Sequence, residues 1–221
     1  MKKSGHYRKY IKRILDICCA IVAMIVFCWL YLLIAILVKI KMGSPVIFTQ
    51  ERPGLIDPKT GKEKLFKLYK FRSMTDKRDA NGNFLPDKER LTKFGLLLRA
   101  TSLDELPEAW NILKGDMSVV GPRPWLVKYL DYYTDFERKR QFVRPGLTGL
   151  SQVSGRNSVT WEQRFMLDAQ YAEEVNFILD LKIIFMTIKK VFVREGIEFS
   201  EGHQSIMEYF ESRNEISTKI K

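Results

Sequence analysis

Histidine and cysteine are scarce in this 221-residue chain, which holds two of the first and three of the second. His6 and His203 stand far apart, so a histidine-based metal centre or catalytic base has no material to draw on. Cys18, Cys19 and Cys28 all fall within one apolar stretch, where cysteine behaves as a small hydrophobe. Their spacing matches neither a zinc site nor a disulfide framework. A GxxxxGK[ST] phosphate loop and a GxGxxG turn are absent, and Ser151 and Ser154 sit in no GxSxG elbow. No internal repeat is visible, and the length suits one good core with no need for a second.

Positive charge, by contrast, is abundant and unevenly placed. The net charge is +11, of which residues 1–41 carry +7 and the remaining 180 residues only +4. The excess flanks the apolar stretch, so it points to anionic lipid rather than nucleic acid. That stretch, Ile17 to Val38, runs 22 residues without a charge. As a helix it would extend roughly 33 Å, enough to cross a ~30 Å hydrocarbon layer. It is too long for a signal peptide, and Val38-Lys39-Ile40-Lys41 offers no small-residue cleavage site. A spanning helix and a re-entrant one, which bends and returns to the same face, both remain open. Basic residues at both ends and Trp29 and Tyr31 near the centre favour re-entry, because positive flanks stay cytoplasmic and such rings prefer headgroup depth.

Beyond the anchor, Val46–Glu51 and Leu65–Phe71 read as a hairpin around a turn at Asp57–Gly61. Residues 75–90 read as a solvated loop, Leu91–Leu98 as a short helix ending near Arg99, and Pro107–Lys114 as a second closed by Gly115. Tyr129–Phe142 shows helical spacing, whereas Arg144–Asn157 has too much glycine and serine for a helix and reads as loop or short strand. Asp168–Val175 and Asp180–Arg194 resume helical character. In the latter Leu181, Ile184, Phe185, Ile188 and Phe192 mark one face, either buried or lying on a membrane surface. The tail beyond Glu201 is polar and is expected to add little to the core.

The densest chemistry is an adjacent carboxylate pair, Asp104-Glu105, about twenty residues ahead of Pro122-Arg123-Pro124. Ser102-x-x-Glu105 fits a capping box, and Asp104 could itself cap a helix with Pro107 in its first turn, so the pair could be no more than a helix start. Yet a helix N-terminus also favours phosphate, and an ionised carboxylate can attack phosphorus. Bringing it to an anionic diphosphate demands cations: Mg²⁺ held by a carboxylate and the phosphates, with arginines that chelate phosphate oxygens. Arg99, Arg123, Lys70 and Arg72 are the candidates, each with a solvated side chain as the alternative. Arg123 stands out because the prolines on both sides fix its backbone.

Five segments, KRILDI near residue 12, FTQERPG at 48–54, YKFRSM at 69–74, RATSLDELPEAWNILKGDMSVVGPRP at 99–124 and VRPGLTGLSQVSGRN at 143–157, resemble the bacterial sugar transferase family, the monotopic phosphoglycosyl transferases. The resemblance implies transfer of sugar 1-phosphate from a UDP-sugar to undecaprenyl phosphate at the cytoplasmic face of the bacterial inner membrane, with release of UMP. It implies Asp104 as the nucleophile forming a covalent phosphosugar, Glu105 as its required partner, and Mg²⁺ at Asp104 and the phosphates. Arg123 with Pro122 and Pro124, Lys70, Arg72 and Arg99 become the expected phosphate or nucleotide contacts. Anionic lipid is an expected partner, with downstream glycosyltransferases as further candidates and nucleic acid as none.

The expected fold is α+β, a mainly helical catalytic domain over residues 42–200 with a small β-hairpin and interfacial amphipathic helices. A basic arm (1–13) and a re-entrant membrane helix (14–41) precede it, and a polar tail (201–221) follows. One departure matters: small members of the family carry Ser-Pro in mid-helix, where this chain has Cys28 and Trp29, so the simplest cause of a bend is missing. Two other readings are an aspartyl-phosphate phosphatase and a non-enzymatic membrane adaptor; the balanced charge of residues 42–221 speaks against a nucleic-acid adaptor but not against a protein partner. The first would need a DxDx[TV] string, which the chain lacks.

Overall fold

The apolar stretch folds as two helices rather than one rod. The computed structural model describes residues 6–155, 159–193 and 205–219, and in it α1 (Lys12–Val26) meets α2 (Cys28–Met42) at a bend of 65°. The break is Phe27, at φ −100° and ψ 12°. Among the described residues no single helix is long and apolar enough to cross a membrane. Each limb docks on a different part of the same domain, which supplies the cause that proline would otherwise provide. On α1, Ala20 packs against Phe66, Ala109, Ile112 and Met117; on α2, Ile34 and Val38 pack against Phe71 and Leu98. Just past the break the Tyr31 hydroxyl donates to the Leu106 carbonyl at 2.5 Å. The outward faces stay bare, with Val22, Ile25, Trp29, Leu32 and Ile40 exposed.

Buried polar contacts pin α1 as well. Asp16 accepts from the Ser118 hydroxyl at 2.7 Å and from the Val119 N–H at 2.9 Å. Lys12 pairs with Asp180 at 2.7 Å, and Asp180 also accepts from the Tyr7 and Tyr171 hydroxyls, each at 2.6 Å. Buried charges persist when paired and hydrogen-bonded in this way.

The hairpin forms where expected but runs longer, with β1 (Ile47–Ile56) antiparallel to β2 (Glu63–Phe71) in register from Ile47↔Phe71 to Pro53↔Leu65. Residues 75–90 are largely irregular and end in the one-turn α3 (Asp87–Arg90). Next comes α4 (Lys93–Ala100), capped by the Thr92 hydroxyl, which accepts from the Gly95 N–H at 3.0 Å. A Cβ at Gly95 would lie 1.8 Å from the Ser73 carbonyl oxygen, so glycine is what lets α4 rest on the chain leaving β2. Helix α5 (Glu108–Lys114) ends at Gly115, φ +87°, in the role foreseen for it. Its buried Asn111 donates to the Lys67 carbonyl at 2.7 Å and accepts from the Tyr69 N–H at 3.0 Å, locking α5 to β2.

A second, parallel pair joins β3 (Ser118–Val120) to β4 (Gly146–Thr148). A Cβ at Gly146 would lie 2.0 Å from the Gly121 nitrogen, so this crossing also depends on glycine. The single helix expected over 129–142 is instead a 3₁₀ segment at Val127–Tyr132, α6 (Asp135–Arg138) and a second 3₁₀ segment at Lys139–Phe142. Thr134 breaks it by capping α6, its side chain and that of Glu137 each accepting from the other's N–H.

The glycine- and serine-rich 144–157 holds a helix after all, α7 (Leu150–Gly155), because Val153 is buried against Tyr171 and Ile183 and tertiary packing overrides propensity. Arg156 and Asn157 lie outside the described residues. Helix α8 (Trp161–Glu174) starts earlier than expected, at a capping box of Thr160 and Gln163. In α9 (Phe177–Val193) Asp180 and Ile183 are buried, while Leu181, Phe185 and Ile188 are 40%, 63% and 46% exposed. Of that stripe Ile184 packs partly buried against the core, whereas Leu181, Phe185 and Ile188 face outward. The Phe192 side chain and Arg194 lie outside the described residues. The tail also departs from expectation: α10 (Ile206–Lys219) inserts Phe210, fully buried, among Tyr129, Tyr132, Tyr133 and Phe165.

Candidate active site

The carboxylate pair caps no helix. Leu103–Glu105 form a single 3₁₀ turn between α4 and α5, entered through Ser102 at φ +56° with no side-chain cap. A non-glycine residue in the left-handed region is strained, and such strain gathers at functional sites. Glu105, the would-be capping partner, turns away from Ser102: its Oε1 accepts from Lys70 Nζ at 2.5 Å and from an Arg123 Nη at 2.8 Å. Lys70 also reaches Glu108 at 3.1 Å. The first turn of α5 carries no side-chain cap; its Ala109 and Trp110 N–H groups donate to the Leu106 and Pro107 carbonyls, each at 3.1 Å.

The two adjacent acids live in different electrostatic worlds. Asp104 is 8% exposed, and its carboxylate accepts no hydrogen bond among the described residues. Burial first, and the Glu105 charge second, push it up to about 6 against the pull of Lys70, Arg99 and Arg123. Burial also works against ionised Glu105, but Arg123 and Lys70 outweigh it and hold that carboxyl below the usual range. Glu108 is raised, by burial and then by Glu105. One carboxylate is saturated by cations while its neighbour is buried and unpaired among the described residues.

Arg123 is held by its backbone. The Pro122 carbonyl accepts from the Gly146 N–H at 3.0 Å, the Arg123 carbonyl from an Arg140 Nη at 2.5 Å, and the Pro124 carbonyl from an Arg52 Nη at 3.1 Å. Arg140 is itself fixed by Asp168 at 2.8 Å, which accepts from the Ser151 hydroxyl at 2.6 Å. Both members of that ion pair are buried, which makes it a costly arrangement to break.

Arg99, Ser102, Glu105 and Arg123 share the wall of a cavity of about 580 Å³, whose lining also includes Trp125 and Ser151. Asp104 is not itself among the lining residues; it sits between Leu103 and Glu105, within electrostatic reach of Arg99, Arg123 and Lys70. Arg99 is steadied by a hydrogen bond from its Nε to the Ser73 hydroxyl at 2.9 Å. Arg72 does not line this cavity: it is buried and donates to the Ser44 carbonyl and to Asp76, both at 2.9 Å.

Three contributors escaped the sequence reading: Glu108, Arg140 and Asp168. Glu108 had a signal, lying three residues after Glu105 and hence on the same side of a helical turn. Arg140 and Asp168 carried none, because they meet across 28 residues of chain. Among the described residues no group of three His, Cys, Asp or Glu could hold a metal alone. A single hydrogen-bond-free carboxylate, completed by substrate phosphates and water, is nevertheless the kind of donor set that Mg²⁺ accepts.

Residues 7–194 match the family model described as bacterial sugar transferase. The chain is 49% identical over 188 residues to the uncharacterized sugar transferase EpsL of Bacillus subtilis (strain 168), covering 85% of this chain and 90% of that protein. It is 40% identical over 195 residues to the UDP-glucose:undecaprenyl-phosphate glucose-1-phosphate transferase of Klebsiella pneumoniae, covering 84% of this chain and 41% of that one. With the undecaprenyl-phosphate galactose phosphotransferase of Salmonella typhimurium the identity is 37% over 205 residues, 85% of this chain and 42% of the relative. The chain therefore spans about two fifths of the length of these last two.

Proposed function

This chain belongs to the bacterial sugar transferase family, and on that premise we propose that it transfers a sugar 1-phosphate from a UDP-sugar to undecaprenyl phosphate. The observation that carries this reading is the asymmetry of the adjacent carboxylates: Glu105 is neutralised by Lys70 and Arg123, while Asp104 is buried beside the same cations without a partner. In the first step an Asp104 carboxylate oxygen attacks the β-phosphorus, its bond to the α–β bridging oxygen breaks, and UMP departs with that oxygen. In the second step a phosphate oxygen of the lipid attacks the same phosphorus, the aspartyl oxygen–phosphorus bond breaks, and Asp104 returns as a carboxylate. Splitting the exchange keeps two large anions out of one transition state.

Arg123 and Arg99 supply positive charge to the diphosphate, with Arg123 aimed by its clamped backbone and by Glu105. Glu105 acts by holding Lys70 and Arg123, so its role is to position. Asp104 would hold Mg²⁺ together with the diphosphate oxygens. Bound there, the ion supplies charge neutralisation to the diphosphate and the departing UMP. The 65° bend, with both limbs docked on one domain and their outer faces apolar, supports a helix that enters the cytoplasmic leaflet of the inner membrane and returns. The exposed stripe of α9, flanked by Lys182 and Lys189, supports an interfacial helix at headgroup depth.

The test is the donor half-reaction. Purified protein mixed with UDP-sugars and Mg²⁺, without lipid acceptor, is expected to release UMP and gain one sugar-phosphate on the peptide containing Asp104. Asp104→Asn should do neither while remaining folded. Adduct formation in that variant, or none in the wild type across a panel of UDP-sugars, would refute the assignment.

A further inference from the structure

The cavity has a second wall that the donor chemistry does not use. Ala23 of α1 and Ile184, Thr187, Ile188, Lys190 and Val191 of α9 line it, a mainly aliphatic wall that carries one lysine. Ile188 and Val191 line the cavity and are also 46% and 47% exposed, so it opens to the surface along α9. The geometry of the two helices explains the opening. They are pinned together at Lys12 and Asp180 by the buried 2.7 Å ion pair and the tyrosine hydroxyls around it. Ala23 and Val191 each lie eleven residues beyond that pin, about 16 Å along a helix, and there both helices line the cavity. Outside the opening the surface is apolar on both sides, with Val22, Ile25 and Val26 on α1 and Phe185 on α9 all more than half exposed.

We infer that this slot between α1 and α9 receives the first isoprenoid units of the lipid acceptor and leads its phosphate to the reacting phosphorus. An occupant must be apolar where Ala23, Ile184, Ile188 and Val191 stand, anionic where Arg99 and Arg123 stand, and must reach the slot from a membrane surface. A prenyl phosphate has that sequence of chemistry, and its methyl-branched chain suits a wall of branched aliphatic side chains. Lys190, on the same wall, adds positive charge along the route of the phosphate. The slot gives the acceptor its own approach, so the nucleotide and the lipid need not share a path. This inference rests on the proposed transfer reaction and assigns the acceptor half of it.

Two half-reactions separate the slot from the reaction itself. Ile188→Trp and Ala23→Phe narrow the slot without touching the acids or arginines. With enzyme in phosphatidylethanolamine/phosphatidylglycerol vesicles, both variants are expected to form the sugar-phosphate adduct from UDP-sugar at the wild-type rate. Their KM for undecaprenyl phosphate should rise at least tenfold. Lys190→Glu should raise the same KM, and Lys190→Arg should leave it within twofold. A normal adduct with an unchanged acceptor KM in the narrowing variants would overturn the slot and leave the transferase reading intact.

As a measurement independent of turnover, a polyprenyl phosphate bearing a photoactivatable group on its first isoprene unit should label residues 184–191. Equal labelling there by photoactivatable phosphatidylglycerol would show a groove for bulk lipid and would also overturn the proposal. Absence of any adduct in the wild type would sink the transfer reaction, and the labelling result would still decide what occupies the slot.

Discussion

Asp104→Asn should make the protein more stable while making it inactive. The folded state raises the Asp104 carboxyl from 3.8 to about 6, chiefly through burial. A shift of that size corresponds to about 3 kcal/mol of preference for the protonated form, at 1.36 kcal/mol per pH unit. The sign follows from linkage: an acid whose folded value is raised costs nothing below its unfolded value. The cost then grows across the interval and stays constant above the folded value. Wild type should therefore carry the full penalty above about pH 6, whereas asparagine cannot ionise and carries none.

At pH 7.5 the variant is expected to unfold at a temperature higher by about 6–12 °C, from 2–4 °C per kcal/mol at this chain length. Near pH 4 the two curves should converge. Thermal unfolding in detergent micelles across pH 4–8, without divalent cation, measures the difference directly. A lower midpoint for the variant, or a difference that does not change with pH, would refute the claim that Asp104 is held charged against its environment. A gain in stability from deleting the key acid is what a site built for function rather than stability produces.

Glu105→Gln should move the other way, losing about 2–4 kcal/mol because Lys70 and Arg123 are left without their shared anion; the lower end applies since the Arg123 side chain is 38% exposed. Denaturant unfolding at pH 7.5 would check this, and an unchanged midpoint would show that the pair is only a surface contact. The rate of adduct formation should fall as pH drops through about 6, following protonation of Asp104, and added Mg²⁺ should shift that limb to lower pH. A rate flat from pH 5 to 8 would contradict an unassisted carboxylate nucleophile. Phe210→Ala should cost about 3–5 kcal/mol, since the ring is fully buried and stacks on Tyr132 at 5.2 Å. A loss below 1 kcal/mol would return the C-terminal helix to the status of a dispensable tail.

Local patterns announced much of this molecule. The hairpin strands are β-prone runs on either side of the turn at Asp57–Gly61, and α5 stops where a glycine can turn left-handed. The family segments, Asp104-Glu105 and the proline-flanked Arg123 were legible because their information is the residue type itself.

The pattern Ser/Thr-x-x-Glu/Gln shows where that legibility ends. At Thr134–Glu137, Thr160–Gln163 and Ser205–Glu208, three of the places where it occurs, it forms reciprocal cap bonds, and at Ser102–Glu105 none forms. The four are alike in sequence, but at the last one Lys70 and Arg123 arrive from elsewhere in the chain and bind Glu105 more strongly than its own turn could. The same limit applies to Arg72, drawn to Ser44 and Asp76, to the bend at Phe27, imposed by two docking surfaces, and to Phe210, claimed by an aromatic cluster about eighty residues upstream. Sequence alone determined which chemical groups the protein owns and the short elements that carry them. Which group faces which was decided by the tertiary structure, because ion pairing and burial depend on distances in space that no local spacing encodes.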